Sequence, residues 1–350
     1  MRADDIQGQF APPQIALGRI RAVLAEQYGL EGDLAPLAGE REQNLLLGGG
    51  PAGKRHVVKI FRRADAPGAI AFQTRALGYL AQSLPDLPLP RVHRTRSGAA
   101  IHTLQDPENG PCDFRVLDYL EGQPVELGEA PTPALAAAAG QLVGAVTRTL
   151  GALSHDFGAE VIAWDVANGL LGDAQFWAMG GGDIRALEAH MRPRFAALMP
   201  VLRRQRTHVV YNDAHLENLL RPAPDADRIT GLIDFGDMWR APVVCDVATL
   251  ALGFAEGAQD APGMAAAAVS GYHAAYPLSG AEIDLIEDVM IARQVLSVIL
   301  YDIKLADPAL QSDENTQMRA RLMERLERLL ALPWGRITAA IHAILKKGAD

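Results

Sequence analysis

Oxygen-bearing side chains follow two short apolar segments in the second half of the chain, which we predict to be neighbouring strands. Asp213 and Asn218 follow Val209–Tyr211, and the tripeptide Asp234-Phe235-Gly236 follows Ile229–Ile233. Magnesium prefers hard oxygen ligands and needs few from the protein when phosphates and waters complete its shell. A carboxylate can also orient an attacking hydroxyl group and accept its proton. These residue types and their spacing predict Asn218 and Asp234 as Mg²⁺ ligands and Asp213 as a general base.

Two lysines have a sequence context that could place them against phosphates. Lys54 closes a G-x-x-x-x-G-K stretch that starts at Gly48, which is the spacing of a phosphate-binding loop. Such a loop needs a Ser or Thr after its lysine and then a helix, but Arg55 and a strand-like run follow here. We therefore predict a turn between two strands at this point. Lys59, inside the predicted strand that follows this turn, is predicted to be the lysine that contacts the phosphates.

The pattern of apolar residues changes near Gly122. Before that point the periodicity predicts short strands and two helices, and after it mainly helices. The predicted strands of the first part are 34–37, 43–47, 55–61, 99–104 and 113–120, and its helices are 15–28 and 69–83. The predicted helices of the second part are 134–153, 183–204, 264–276, 281–305 and 313–331. We therefore predict a small mixed part at 1–116, a short extended link at 117–122 and a helical part at 123–350.

Composition and charge exclude several classes of protein. The 350 residues carry a net charge of −9, which argues against a nucleic-acid-binding protein. The N-terminal segment lacks the apolar core of a secretory signal, and no stretch is long and apolar enough to span a membrane. The two cysteines form no disulfide framework. We therefore expect a cytoplasmic protein without nucleic-acid or membrane partners, and the sequence does not predict the oligomeric state.

Several motifs resemble those of a known family. YNDAHLENLL, residues 211–220, is similar to the H-G-D-x-H-x-x-N-x-L pattern of kinase-like phosphotransferases such as aminoglycoside phosphotransferases, choline kinases and homoserine kinases. LAGEREQNLLL with IDFGDM is most similar to hydroxylysine kinases and to the kinase-like domain fused to class III aminotransferases. The resemblance covers residues 34–330. It implies an α+β, two-lobed protein-kinase-like fold, with a small N-terminal antiparallel sheet lobe and a large, mainly helical C-terminal lobe.

The resemblance also implies where a nucleotide binds. VLDYLEGQPV is similar to the family's hinge, against whose backbone the purine of ATP or GTP would lie. The phosphate-covering loop would lie between the first two strands. The nucleotide-binding positions implied in this way are Gly39, Glu40, Arg41, Asp118 and Leu120.

The chain departs from the family pattern at two places. The family's lysine pairs with a glutamate on the first helix of its lobe, but Gln73 occupies the matching position. Either Gln73 hydrogen-bonds Lys59, or an acid from the loop, Glu40 or Glu42, replaces the glutamate. The second departure is in the catalytic motif, where Tyr211 and Asn212 stand in place of the usual His and Gly.

Three polar residues are candidates for contact with an acceptor, and each has a structural alternative. His215 either contacts the acceptor or packs beside the loop. Asp237 either binds the acceptor or caps the helix after Pro242. Asp165 either attracts an amine of the acceptor or is simply solvated.

Arg293 is a fourth candidate because it lies in an apolar stretch of the predicted helix 281–305, where a charge is costly unless it is paired. Two interpretations remain open for it. Arg293 either binds a carboxylate of the acceptor or forms a structural ion pair with Asp246 or Asp302.

The activity implied by the resemblance is transfer of the γ-phosphoryl group of ATP or GTP, with Mg²⁺, to a hydroxyl of a small molecule. Acidic residues around the motifs favour a cationic acceptor, and we expect a small hydroxy-amine such as hydroxylysine. Aminoglycoside-, homoserine- and choline-type acceptors are the alternatives. A nucleotide-binding regulatory pseudokinase is the alternative from another class, although the complete set of Asp213, Asn218 and Asp234 argues against it.

Overall fold

The protein forms two compact units, one made mainly of residues before Gly122 and one made mainly of residues from Gly122 onwards. The computed structural model describes residues 12–39, 42–49, 53–64, 68–126, 130–154, 163–308 and 310–348. No helix within these ranges combines the length and the apolar character that crossing a membrane requires.

The first unit is built on an antiparallel sheet of six strands, and the predicted sheet is confirmed. The strands are β1 Asp33–Leu37, β2 Gln43–Gly48, β3 His56–Arg62, β4 Val92–His93, β5 His102–Asp106 and β6 Gly110–Asp118. The helices are α1 Leu17–Val23, continued by a π-helical turn at Leu24–Tyr28, and α2 Ala69–Ser83. The strand order is β1-β2-β3-β6-β4, and β5 also pairs with β6. Lys54 lies between β2 and β3, and residues 50–52 of the turn predicted there lie outside the described residues.

The two faces of this sheet differ because side chains alternate along each strand. Val58 and Ile60 on β3 join Phe114 and Val116 on β6 in a core cluster that α1 covers. Lys59 lies between Val58 and Ile60, so its side chain projects from the other face. Its neighbours in register there are Asn44 on β2 and Arg115 on β6. The alternation of β3 thus separates the candidate phosphate-binding lysine from the core.

The second unit is mainly helical and carries short strands around the predicted motifs. Its larger helices are α3 Pro133–Leu150, α4 Ala174–Ala178, α5 Gly182–Arg185, α6 Glu188–Leu202, α7 Val243–Ala255, α8 Ala261–Ala275, α9 Gly280–Ala306, α10 Asp313–Leu330 and α11 Arg336–Lys347. Its strands are β7 Gln123–Pro124, β8 Thr207–Val210, β9 Leu219–Arg221, β10 Gly231–Leu232 and β11 Trp239–Pro242.

The strands around the motifs pair differently from the sequence-based expectation. The segments before Asp213 and before Asp234 were expected to be neighbouring strands, but β8 pairs with β11 while β10 pairs with β9. The segments are nevertheless joined, since the Tyr211 hydroxyl donates to the Ile233 carbonyl oxygen. The helix expected at 183–204 is divided into α5 and α6, and α11 was not predicted.

Helices α3 and α8 pack closely enough that only glycine fits at their contact. A Cβ at Gly140 would overlap the Ala268 carbonyl oxygen, and a Cβ at Gly271 would overlap the Ala137 carbonyl oxygen. The close approach brings Tyr272 of α8 towards Thr147 of α3. Both of these side chains contact a buried carboxylate that supports the candidate site.

Candidate active site

Asp213 and Asn218 lie at the two ends of one short loop, which a 3-10 turn at Leu216–Asn218 closes. The Asn218 Nδ2 atom donates to Asp213 Oδ2 at 2.7 Å and to the Asp213 carbonyl oxygen at 3.0 Å. This leaves the Oδ1 lone pairs of Asn218 to face a cation. The two residues that the sequence analysis associated by their spacing are therefore in direct contact.

The Asp213 carboxyl group has an altered acidity. Burial, followed by the negative charges of Asp237 and Asp234, raises the pKa of Asp213 from 3.8 to about 8. The positive charge of Arg293 and the hydrogen bond from Asn218 act in the opposite direction. A carboxylate with a raised pKa accepts a proton more readily than an exposed one, which suits a general base near neutral pH.

Asp246, which lies on the fully buried helix α7, binds the backbone of the Asp213 loop. Asp246 Oδ1 accepts the backbone N–H of Asn212 at 2.7 Å. Its Oδ2 atom accepts the hydroxyls of Thr147 at 2.6 Å and Tyr272 at 3.0 Å. The backbone at the start of the loop is therefore fixed by a carboxylate whose other contacts are with α3 and α8.

Asn212 has a left-handed backbone, with φ of 68°. Glycine adopts this conformation without strain, and asparagine tolerates it better than most residues. The conformation explains why Asn can stand here in place of the family's Gly. The Asn212 side chain also donates from Nδ2 to the Asp237 carbonyl oxygen at 3.3 Å.

We expect Asn212→Gly to retain turnover and Asn212→Val to lose both turnover and stability. A β-branched residue in the left-handed region costs about 1–3 kcal/mol in the free energy of unfolding. Thermal unfolding and kcat of the two variants provide the measurement. Equal losses in both variants would show that the amide contact, and not the backbone conformation, is what the position requires.

A second prediction concerns the pH dependence that Asp246 gives to stability. Burial raises the pKa of Asp246 from 3.8 to about 6, although its three hydrogen bonds lower it. Because the folded state binds the Asp246 proton more tightly than the unfolded state does, protonated Asp246 contributes to the free energy of unfolding. This contribution is fully present below the unfolded pKa and is lost as the pH rises through about 6. Asp246→Asn lacks this titration. The midpoint temperature of the variant should therefore rise relative to the wild type between about pH 4 and pH 7, whereas a constant difference would contradict the assignment.

The Asp234 loop is tied to the Asp213 loop through backbone and aromatic contacts. Asp234 has φ of 52°, and its Oδ1 atom accepts the Gly236 N–H at 3.1 Å. The Ile233 N–H donates to the Asn218 carbonyl oxygen at 2.9 Å. Phe235 packs edge-on against Tyr211, with ring centroids 5.0 Å apart. Tyr211, in place of the family's His, thus links the two loops.

The donor set around these loops fits a magnesium ion that is bound together with phosphates. Asn218 and Asp234 offer an amide oxygen and a carboxylate, which are the hard donors that Mg²⁺ prefers. Among the described residues, no group of three or more His, Cys, Asp or Glu side chains could hold a metal.

In the first unit, Lys59 forms an ion pair with Glu42. The Lys59 Nζ and Glu42 Oε1 atoms are 2.8 Å apart, and both side chains are largely buried. Glu42 is thus one acid that pairs with Lys59 where the family has a helix glutamate, and Gln73 is buried on α2. Of the loop positions, Glu40 and Arg41 lie outside the described residues. Gly39 packs so closely against the Glu42 carbonyl oxygen that a Cβ would overlap it.

The backbone positions expected to contact the purine are not equivalent. The Asp118 N–H already donates to the Arg91 carbonyl oxygen at 2.9 Å, so it is not available to a base. Leu120 follows the end of β6 and makes no backbone hydrogen bond with another described residue. Contact of the purine with the backbone of Asp118, at its carbonyl oxygen, and with that of Leu120 stays a prediction.

Asp237 and Asp165 are the two acceptor candidates with acidic side chains. Pro242, which has no side chain that could cap, is the N-cap residue of α7. Asp237 contributes negative charge beside Asp213, and its capping of the helix stays a prediction. Asp165 is 9% exposed and accepts the Ala167 N–H at 2.9 Å, so the expectation of a solvated loop acid is wrong. Contact of either residue with an acceptor stays a prediction.

His215 and Arg293 lie next to Asp213. The His215 Nε2 atom is 3.5 Å from Asp213 Oδ1 and 3.4 Å from Arg293 Nη2. Desolvation, followed by the charges of Arg293 and Arg325, lowers the pKa of His215 to about 3, so the ring is neutral. Neither expected structural pair of Arg293 forms, since Asp246 accepts the three donors named above and Asp302 pairs with Arg319.

Sequence reasoning missed Asp246 and Trp164 as parts of the site. Asp246 had a detectable signal, because it is the one charged residue in the apolar run Val243–Ala255. A single acid in that apolar run indicates a specific polar contact, as the single arginine on α9 does. Trp164 had no comparable signal, since its carbonyl oxygen and ring contact Arg293 across 129 positions of sequence.

Comparisons with known proteins concern the family and the fold of the chain. The family model described as APH, phosphotransferase enzyme family, matches residues 33–282. No curated protein sequence shows a significant match to the chain.

Solved structures with a similar fold include several kinases. A microcompartment-associated aminopropanol kinase has a TM-score of 0.68 and 18% identity, over 90% of this chain and 98% of that one. An amicoumacin kinase in complex with AMP-PNP, Ca²⁺ and its ligand has a TM-score of 0.67 and 16% identity, over 90% and 94%. A choline/ethanolamine kinase family protein from Mesorhizobium loti has a TM-score of 0.54 and 17% identity, over 93% and 98%. At these identities the likeness shows the fold.

Proposed function

The chain belongs to the APH phosphotransferase enzyme family, and on this premise we propose that it transfers the γ-phosphoryl group of ATP or GTP to a hydroxyl of a small hydroxy-amine. The observation that carries the proposal is the position of Asp213. Its carboxyl group is hydrogen-bonded to Asn218, has a raised pKa and lies in the electrostatic field of Asp234. This arrangement suits a base that accepts the hydroxyl proton during phosphoryl transfer.

The proposed step divides the work between the two loops. Asp213 orients the acceptor hydroxyl and takes its proton as the oxygen attacks the γ-phosphorus, while the bond to the bridging oxygen breaks and the nucleoside diphosphate leaves. Asn218 and Asp234 would hold Mg²⁺, which supplies neutralisation of phosphate charge when it is bound. Catalysis of this kind depends mainly on positioning and electrostatics.

Lys59 is proposed to contact the non-transferred phosphates of the nucleotide. Its ion pair with Glu42 fixes the side chain on the face of the sheet away from the core. A fixed cation loses less conformational entropy when a phosphate binds than a flexible surface lysine does. Lys54, which is exposed on the β2–β3 turn, is proposed to have no role in binding.

A cationic acceptor is favoured by the charge of the chain and of the site. The protein carries a net charge of −9, and Asp237 and Asp234 both place negative charge near Asp213. An ammonium group is attracted to such a site. Two of the similar folds are an aminopropanol kinase and a choline/ethanolamine kinase family protein, whose names refer to hydroxy-amines. We therefore propose a hydroxy-amine, with 5-hydroxylysine as the first compound to test.

The test is a steady-state assay of nucleoside diphosphate release with Mg²⁺ and either ATP or GTP. Hydroxy-amines, an aminoglycoside, homoserine and choline are compared as acceptors, and the phosphorylated product is identified by mass spectrometry. Acceptor-dependent turnover with a hydroxy-amine supports the proposal. Tight nucleotide binding without turnover on any acceptor would instead support a regulatory pseudokinase.

A further inference from the structure

Arg293 is a buried cation without a carboxylate partner among the described residues. The residue is 4% exposed on α9. Its Nη1 atom donates to the Trp164 carbonyl oxygen, and its Nη2 atom lies 3.4 Å from His215 Nε2. Its Nε atom is buried and has no hydrogen-bond partner in the described part of the chain. Arginine keeps its charge, so the guanidinium is a desolvated cation with donors left over.

A buried charge of this kind is costly unless an anion compensates it. The carboxylates Asp213, Asp237 and Asp165 attract Arg293 from a distance, but none of them forms an ion pair with it. The ring of Trp164 lies 5.6 Å from the guanidinium carbon and covers it. The guanidinium therefore has a supporting ring, a fixed position and an unfilled requirement for a carboxylate.

The position of Arg293 limits the distance to the reacting hydroxyl. His215 Nε2 is 3.5 Å from Asp213 Oδ1 and 3.4 Å from Arg293 Nη2. The separation between the candidate base and the guanidinium therefore cannot exceed the sum of these two distances. An anion on Arg293 and a hydroxyl on Asp213 must belong to a short molecule if one acceptor contacts both.

We propose that Arg293 binds a carboxylate of the acceptor, and that the acceptor is a compact hydroxy-amino acid whose carboxylate lies only a few bonds from the reacting hydroxyl. The proposal rests on the proposed kinase function and narrows its substrate class. Arginine suits this role because its planar fork can make two parallel hydrogen bonds to a carboxylate. The amine of the acceptor would lie towards Asp237. Contacts at both ends would orient the hydroxyl for attack.

The experiment compares each hydroxy-amino acid with the compound that lacks only its carboxylate. One pair is homoserine and 3-aminopropan-1-ol, and the other is 5-hydroxylysine and 1,5-diaminopentan-2-ol. We expect the wild type to prefer the carboxylate-bearing member by about 30-fold or more in kcat/KM, as for loss of a buried charge pair. The shorter pair should show the larger preference.

Arg293→Met should abolish this preference, mainly by slowing the carboxylate-bearing member. The ratio of two substrates is measured within one variant, so partial unfolding cancels. Arg319→Met is the control, because Arg319 is another largely buried arginine of the same unit but is ion-paired with Asp183 and Asp302. That variant should keep the wild-type ratio.

Calorimetric titration of the same compounds, with Mg²⁺ and a non-hydrolysable ATP analogue present, tests the inference without turnover. The wild type should bind homoserine, and Arg293→Met should not. Equal use of both members of each pair, or equal homoserine binding by wild type and Arg293→Met, would overturn the role of Arg293. Phosphorylation of amino alcohols alone would overturn it while the kinase function stands. Absence of turnover on every acceptor would overturn the proposed function, and the titration would still decide the carboxylate site.

Discussion

Replacing Asp213 by Asn should reduce kcat by about 10²–10⁴-fold, the usual contribution of a positioned general base, while nucleotide affinity stays unchanged. The amide keeps the shape of the side chain and can still accept a hydrogen bond from Asn218, but it cannot take the proton of the hydroxyl. Asp213 is proposed to touch the acceptor and not the nucleotide. Steady-state kinetics with the best acceptor and a nucleotide titration of the variant provide the two measurements.

Asp234→Asn is the matched comparison, because it makes the same chemical change in the neighbouring loop. This variant should lose Mg²⁺-dependent nucleotide affinity as well as turnover, since an amide is a weaker cation ligand than a carboxylate. Titrations with and without Mg²⁺ separate the two roles. Equal loss of nucleotide affinity in both variants would contradict the division between base and metal ligand.

Lys59→Ala should lower kcat/KM by about 10²-fold or more, as expected when a charge-assisted phosphate contact is lost, whereas Lys54→Ala should remain near the wild-type value. The two lysines are five positions apart, but Lys59 is buried in an ion pair with Glu42 and Lys54 is exposed on a turn. The same substitution at each position therefore tests whether the lysine of the strand or the lysine of the glycine-rich stretch contacts the phosphates.

Loss of Lys59 also leaves Glu42 as a poorly compensated buried acid, which destabilises the fold. The folded fraction of each variant therefore has to be measured by thermal unfolding, and kcat/KM is expressed per folded enzyme. Lys59→Ala with Glu42→Gln removes both charges and should recover stability without recovering turnover. An inactive Lys54→Ala with an active Lys59→Ala would reject the assignment and restore the phosphate-binding-loop interpretation.

The sequence was informative where a local pattern determines the structure. Helix α2 begins and ends at the predicted residues 69 and 83, because its apolar periodicity and the proline after it are both local signals. Lys59 was singled out because of its place in a strand-like run, and strand alternation sets the face from which its side chain projects. The spacing of Asp213 and Asn218 was recognisable because one short loop holds both residues.

Features that depend on distant contacts were not predictable from those patterns. The partner of Lys59 was left open between the acids Glu40 and Glu42 and the Gln73 amide. The Lys59–Glu42 ion pair forms only when the loop that carries Glu42 lies beside strand β3, and no local pattern predicts this. Asp237 was left open between acceptor contact and helix capping, because its contacts with the Asp213 loop join residues that are 24 or more positions apart. The left-handed conformation of Asn212 depends on a hydrogen bond to Asp246, 34 positions further along the chain.

The Asp246 contacts also set an order of events during synthesis on the ribosome. Asn212 and Thr147 emerge before Asp246, and Tyr272 emerges 26 residues after it. A nascent chain that has produced every catalytic motif still lacks the helix that carries Tyr272. The full set of Asp246 contacts therefore forms only after α8 has left the exit tunnel and docked on α3.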